Sequence, residues 1–143
     1  KSVNFPVSRS SEFPSLHQPS PLGEKVFGEY MVAAESLECE MRTLPDWLSE
    51  VGLDQVKRIF LKTDTQGFDL EVLKSATPLL SKTSVVVTEL ALESLYENAP
   101  TKDEMENFLA DVGFNPSGYY TVCRPVDGES LIELDALYVN SSH

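Results

Sequence analysis

The sequence predicts an α/β fold in which parallel strands are joined by crossover helices and the chain closes in an antiparallel hairpin. Three observations lead there. From about Leu37 onward, short β-compatible segments alternate with segments of helical periodicity, the order that generates βαβ units. Two of the helical segments open on a threonine with an acid three residues later, the spacing that satisfies free amides at a helix start. The C-terminal stretch holds two extended segments around Asp127-Gly128, residues that tolerate the backbone of a tight turn.

The elements follow in order. Ser2–Val7 reads as a short strand. It leads into an irregular arm, because Pro6, Pro14, Pro19 and Pro21 are mixed with serines through residue 25. Leu37–Arg42 reads as the next strand. Thr43 and Asp46 then set up a helix whose apolar positions Leu44, Trp47, Leu48 and Val51 recur at i, i+3, i+4 and i+7, with Gly52 as its stop. Trp47 reads as a core anchor of that helix. Arg58–Asp64 is apolar and β-compatible, and a helix through Asp69, Leu70, Val72, Leu73 and Ala76 is limited by Pro78. Consecutive β-branched residues in Ser84–Leu90 suit a strand covered on both faces. Thr101 and Glu104 repeat the capping spacing ahead of Met105, Phe108, Leu109 and Val112, which Gly113 closes. Gly118–Arg124 and Leu131–Asn140 form the hairpin.

The chain has 143 residues with 11 basic against 23 acidic side chains, a net charge of −12, and 41% hydrophobic content. These values fit one domain with a real core, divided into an arm (1–36) and an α/β core (37–143). The acidity argues against nucleic acid or an anionic membrane as partner, since both need clustered Lys and Arg. No apolar run reaches the ~20 residues of a membrane helix and no secretory leader is visible, so a cytoplasmic location is expected. Cys39 and Cys123 read as buried thiols of a reducing compartment. Neither they nor His17 and His143 stand at metal-ligand spacing, so no metal site is expected.

Chemistry is expected at the carboxyl ends of the parallel strands. Asp64 ends one strand and Glu89 the next, so neighbouring strands would deliver both carboxylates to one rim. There they could hold a hard cation, share a proton, or orient a hydroxyl for deprotonation. The competing reading has Asp64 capping the turn at Gln66-Gly67 and Glu89 solvated. Lys62, two residues before Asp64, is expected to form an ion pair with a nearby acid. Tyr96 reads as a core or rim aromatic. The seven glycines never form G-x-G, which leaves the chain without a dinucleotide fingerprint or P-loop.

The run Phe60-Leu61-Lys62-Thr63-Asp64-Thr65-Gln66-Gly67-Phe68-Asp69-Leu70-Glu71-Val72-Leu73-Lys74-Ser75-Ala76 resembles the central motif of FkbM-type S-adenosylmethionine-dependent methyltransferases. The resemblance continues in Val85–Glu89, Tyr96, Val112-Gly113-Phe114 and Asp135-Ala136-Leu137-Tyr138-Val139, and upstream in Arg42–Leu48, covering residues 37–139. Asp69, Ser75 and Thr63 depart from the family pattern. The family's Gly-rich loop and its ribose-holding acid have no counterpart here.

The resemblance implies a partial Rossmann-like class I methyltransferase fold with the first strands missing. It implies S-adenosylmethionine as the family cofactor, although this chain has no identifiable residues of its own to bind it. It also implies O-methyl transfer to a small-molecule or glycan hydroxyl. Asp64, Gln66 and Gly67 would line the acceptor cleft with Tyr96 beside them, and Glu89 would orient or deprotonate the acceptor. The alternative is a non-catalytic, degenerate binding or oligomerisation module. In either case strand 58–64 lacks its inner neighbour, and its edge is expected to be covered by the N-terminal arm or by a second chain, giving a homo-oligomer.

Overall fold

The computed structural model describes residues 1–8, 10, 13–123 and 131–142. The turn expected at Asp127-Gly128, His143 and the Cys123 side chain lie outside the described residues.

The described residues form two sheets. Strands β1 (Ser2–Ser8) and β2 (Ala33–Glu40) pair antiparallel, with Ser2 opposite Glu40 and Val7 opposite Glu35. Between them lie helix α1 (Pro21–Phe27) and a 3-10 turn at Gly28–Tyr30. The second sheet holds β3 (Ile59–Thr63), β4 (Thr83–Ala91), β5 (Phe114–Cys123) and β6 (Glu133–Asn140) in the order β3-β4-β6-β5. β3 and β4 run parallel, and β4-β6 and β6-β5 run antiparallel. Helices α2 (Leu44–Glu50), α3 (Asp69–Ser75), α4 (Thr77–Leu80) and α5 (Lys102–Asp111) fill the connections.

The mixed α/β character and the C-terminal antiparallel pairing match the expectation, and three details of the order do not. β2, expected in the alternating parallel series, pairs with β1 instead, so β3-β4 is the parallel pair among the described residues. The stretch read as irregular contains α1. Its signal is local: Pro21 occupies the first turn, where a missing N–H costs nothing, and Ser20 Oγ accepts from Gly23 N at 3.1 Å. β5 begins at Phe114, four residues before the expected start, with Pro116 tolerated because β5 is an edge strand.

The core forms on one face of the larger sheet. Val86 and Leu90 of β4, with Ala136 and Tyr138 of β6, meet Leu70 and Leu73 of α3, Leu80 of α4 and Met105 and Leu109 of α5. Alternation decides this, because residues two apart on a strand share a face. The other face is less covered: Phe60 is 66% exposed, and Tyr120, Val122 and Val139 are also exposed. Along Ser84–Leu90, Val86, Thr88 and Leu90 are buried while Ser84, Val85, Val87 and Glu89 are half-buried, so the strand is fully covered on one face only. Trp47, expected in the core, is 47% exposed, since α2 turns Leu48 inward and leaves Trp47 and Val51 outside. Cys39, expected to be buried, is exposed and free on β2. The arm does not close the β3 edge: β1 takes β2 as its partner, and among the described residues no strand lies beyond β3.

Candidate functional site

The parallel register settles where the two predicted carboxylates emerge. Thr63 is the partner of Thr88, so the next residues, Asp64 and Glu89, leave neighbouring strands together on the face away from the helices. Behind them the Thr63 hydroxyl donates to Thr88 Oγ1 at 2.7 Å in the buried layer and locks the register at the rim. β6 brings further acids to the same face. Asp135 stands opposite Glu89, and Glu133 stands two residues away on that side.

The loop after β3 ties these groups into one network. Gln66 takes a positive φ of 52°, uncommon for a residue with a side chain and a conformation that surrounding contacts must hold. Its Nε2 donates to Asp64 Oδ1 at 3.1 Å and to Glu89 Oε2 at 3.5 Å, while its Oε1 accepts from the Tyr96 hydroxyl at 2.9 Å. Ser15 of the arm donates its hydroxyl to the Gln66 carbonyl at 2.6 Å. Gly67 follows at φ +88°, where an added Cβ would stand 3.1 Å from Ala99 Cβ and 3.3 Å from Tyr96 Cβ. All five residues singled out in the sequence thus come together: Asp64, Gln66 and Glu89 by hydrogen bonds, Tyr96 through Gln66, and Gly67 by packing on Tyr96.

Lys62 Nζ donates to Asp64 Oδ2 at 2.9 Å, the expected ion pair. That bond, aided by Gln66, holds Asp64 below its ordinary pKa. Glu89 behaves oppositely. Burial, reinforced by the charges of Glu133, Asp64, Asp69 and Asp135, pushes it up to about 8. Burial likewise raises Glu133 to about 7, with Asp64 and Asp69 adding to it. Asp69 also lies above its usual range because it is buried at the start of α3, where it accepts from Thr65 N at 3.2 Å. At neutral pH the rim therefore pairs an ionised Asp64 with a proton-carrying Glu89.

These acids open onto a cavity of about 750 Å³ whose opposite wall is apolar, built from Phe5, Phe13, Leu16 and Phe27 of the N-terminal region together with Phe68 and Val122. Among the described residues no basic side chain lines it. Among the described residues no cluster of three or more His, Cys, Asp or Glu could hold a metal ion. Glu133 and the aromatic wall are the parts the sequence reading missed. Glu133 is only 8% exposed, and the signal available was an acid inside the apolar run Leu131-Ile132-Glu133-Leu134. Its meaning depends on β6 lying beside β4, a pairing between distant segments.

No helix among the described residues is long and apolar enough to cross a membrane. No solved structure matches the chain significantly. Among curated proteins, the 2-O-methyltransferase NoeI of Sinorhizobium fredii (strain NBRC 101917 / NGR234) is 36% identical over 61 residues, a stretch covering 43% of this chain and 24% of that protein. The matched stretch is thus about a quarter of that relative's length. The family model described as the methyltransferase FkbM domain matches residues 3–116, and with that span covered the chain belongs to the FkbM methyltransferase family.

Proposed function

We propose that this chain forms the acceptor side of an S-adenosylmethionine-dependent O-methyltransferase with a partial Rossmann-like fold, acting on a hydroxyl of a small molecule or glycan. The observation that carries this reading is the Gln66 side chain joining Asp64 to Glu89 at the mouth of an aromatic-walled cavity. An acceptor ring resting on the phenylalanines would present a hydroxyl to Glu89. With its pKa raised to about 8, Glu89 is a stronger base than an ordinary carboxylate in the fraction that is ionised, which grows as pH rises towards 8 and can take a hydroxyl proton. Gln66, held by Tyr96, keeps the two carboxyl groups oriented, and Asp64 supplies fixed negative charge.

The methyl donor fits these residues only in part. Its sulfonium and ammonium suit an acidic lining, but among the described residues no cation in the cavity wall meets its carboxylate, and the sequence has no Gly-x-Gly cradle. The exposed free thiol at Cys39 agrees with a reducing, cytoplasmic setting. The missing cradle also favours a second reading, a non-catalytic binding or oligomerisation module of the same family.

Methyl transfer from labelled S-adenosylmethionine to a panel of hydroxylated small molecules and oligosaccharides separates the two. The acceptor-side reading expects transfer that falls by about 10²–10⁴ in Glu89→Gln. Transfer indifferent to Glu89→Gln would overturn the assigned role. Silence of this chain, with transfer and calorimetric donor binding restored in a longer chain, supports the acceptor-side reading, and absence of both in the longer chain as well favours the module.

A further inference from the structure

Three carboxyl groups line the aromatic-walled cavity, and two of them have partners. Asp64 is paired with Lys62, and Glu89 receives the Gln66 amide. Glu133, at the start of β6, differs from both. It is 8% exposed, and among the described residues the charges that act on it, Asp64 and Asp69, are of its own sign. No described residue gives it a hydrogen bond or an ion pair. A carboxyl group buried to that degree is costly unless something compensates it. Because Glu133 lines the cavity, a compensating group would reach it from there. We propose that Glu133 is an ammonium subsite for the acceptor, which is then a hydroxylated ring bearing a free amine, of the amino-sugar class.

The inference rests on the acceptor-side reading and adds the acceptor's chemistry to it. The sheet sets the spacing. Across the β4-β6 pair Glu89 stands opposite Asp135 and Ala91 opposite Glu133, so Glu89 and Glu133 are diagonal neighbours on one face, about 7–8 Å apart. One sugar ring spans that separation, with a hydroxyl at Glu89 and an amine at Glu133. β6 lies on the far side of β4 from β3, so the subsite does not depend on what stands beyond β3. The opposite wall suits the same ligand. Phe13 and Phe27 hold their ring centroids 4.7 Å apart, and Phe5 and Phe68 join them around the cavity. Aromatic faces attract an ammonium and also pack on the apolar face of a ring. A metal ion is the poorer occupant, because among the described residues no three His, Cys, Asp or Glu side chains converge to hold one. An anionic acceptor would meet three acids and no described cation.

Calorimetric titration of the chain with glucosamine, N-acetylglucosamine and glucose at neutral pH tests this. Glucosamine should bind about tenfold more tightly than the other two, the size of a charge-assisted hydrogen bond. Glu133→Gln should remove that advantage and leave glucose binding as it was. The carboxyl resonance of Glu133, which burial sets to titrate at about 7, should move to lower pH with glucosamine bound and stay in place with glucose. The comparison of sugars on the unsubstituted chain stands whether or not the variant folds, which circular dichroism checks. Equal binding of the three sugars, no binding of glucosamine, or a glucosamine preference that survives Glu133→Gln overturns the proposal. S-adenosylmethionine that binds the chain and loses affinity in Glu133→Gln, while the sugars do not, would assign the cation to the donor and overturn it as well. Methyl transfer tests the acceptor-side reading separately: transfer that depends on Glu89 but ignores the amine would keep that reading and remove this one.

Discussion

The two faces of the β3-β4-β6-β5 sheet are made by the same strands and do opposite work. On the helix-covered face, Val86, Leu90, Ala136 and Tyr138 pack against α3, α4 and α5 and are essentially sealed from water. On the other, Phe60, Tyr120 and Val139 meet solvent and the acids Asp64, Glu89, Glu133 and Asp135 converge at one end. The difference teaches that stability and chemistry are divided by strand parity, so the two faces should respond separately to substitution. The largest effect belongs to the covered face. Leu73→Ala, at a side chain with no exposure, should cost about 2–5 kcal/mol in urea unfolding, the range for a buried leucine whose cavity cannot fully collapse. Val139→Ala, on the open face of β6, should stay within about 0.5 kcal/mol, as surface substitutions usually do. Similar losses at both sites would show that the open face is covered in solution.

A sharper probe sits where the faces join. Thr88→Val keeps the shape of the side chain but removes the buried oxygen that receives the Thr63 hydroxyl at 2.7 Å. A buried hydroxyl left without its partner costs about 1–3 kcal/mol. The same bond fixes the register that sets Asp64 beside Glu89, so hydrogen exchange at Thr63 and Asp64 should quicken along with the loss of stability. Intact stability with unchanged exchange would mean that the rim is positioned by the Gln66 network alone.

How far the molecule was legible before its structure follows the same division. Asp64 and Glu89 could be placed on one rim because strand ends are local features and the parallel order is the default for alternating elements. Both threonine caps were legible for the same reason. Trp47 misled because helical periodicity identifies an apolar stripe without revealing what lies against it, and here nothing described covers that part of α2. β2 misled because pairing with β1 is a contact across some thirty residues of intervening chain, and such pairings leave no periodic trace. Glu133 gained meaning only from the β4-β6 register, which joins segments more than forty residues apart.

The acid cluster on the open face predicts a pH response that the covered face lacks. Glu89 titrates at about 8 in the folded chain against an ordinary 4.5, and Glu133 at about 7. A carboxyl group whose pKa is raised by folding binds its proton more tightly in the folded state. Its contribution is therefore fully present below about pH 4.5 and is lost as pH rises through 7 to 8. Unfolding free energy should fall across that window by about 1–2 kcal/mol, a figure that allows for partial solvent screening. Glu89→Gln should flatten the curve. Glu133→Gln removes the largest neighbouring charge acting on Glu89 and should move its titration, followed by carboxyl NMR, to lower pH. A curve unaffected by either substitution would mean that these carboxyl groups are hydrated in solution.

The smallest expected effect compares two helix starts of nearly the same sequence design. At α5 the capping box is complete: Thr101 Oγ1 accepts from Glu104 N at 3.2 Å, and Glu104 Oε2 accepts from Thr101 N at 2.8 Å. At α2 only half is made, with Thr43 Oγ1 accepting from Asp46 N at 3.3 Å. The shorter Asp46 side chain makes no return bond to the Thr43 amide. α5 also anchors the covered layer through Met105 and Leu109, whereas α2 buries Leu48 alone. Fraying at Thr101 is therefore coupled to the core, and fraying at Thr43 is not. Thr101→Ala should cost about 1 kcal/mol and Thr43→Ala about 0.5 kcal/mol, both by thermal unfolding. If the two losses were equal, α2 would have to be packed in solution against something that also covers Trp47 and Val51.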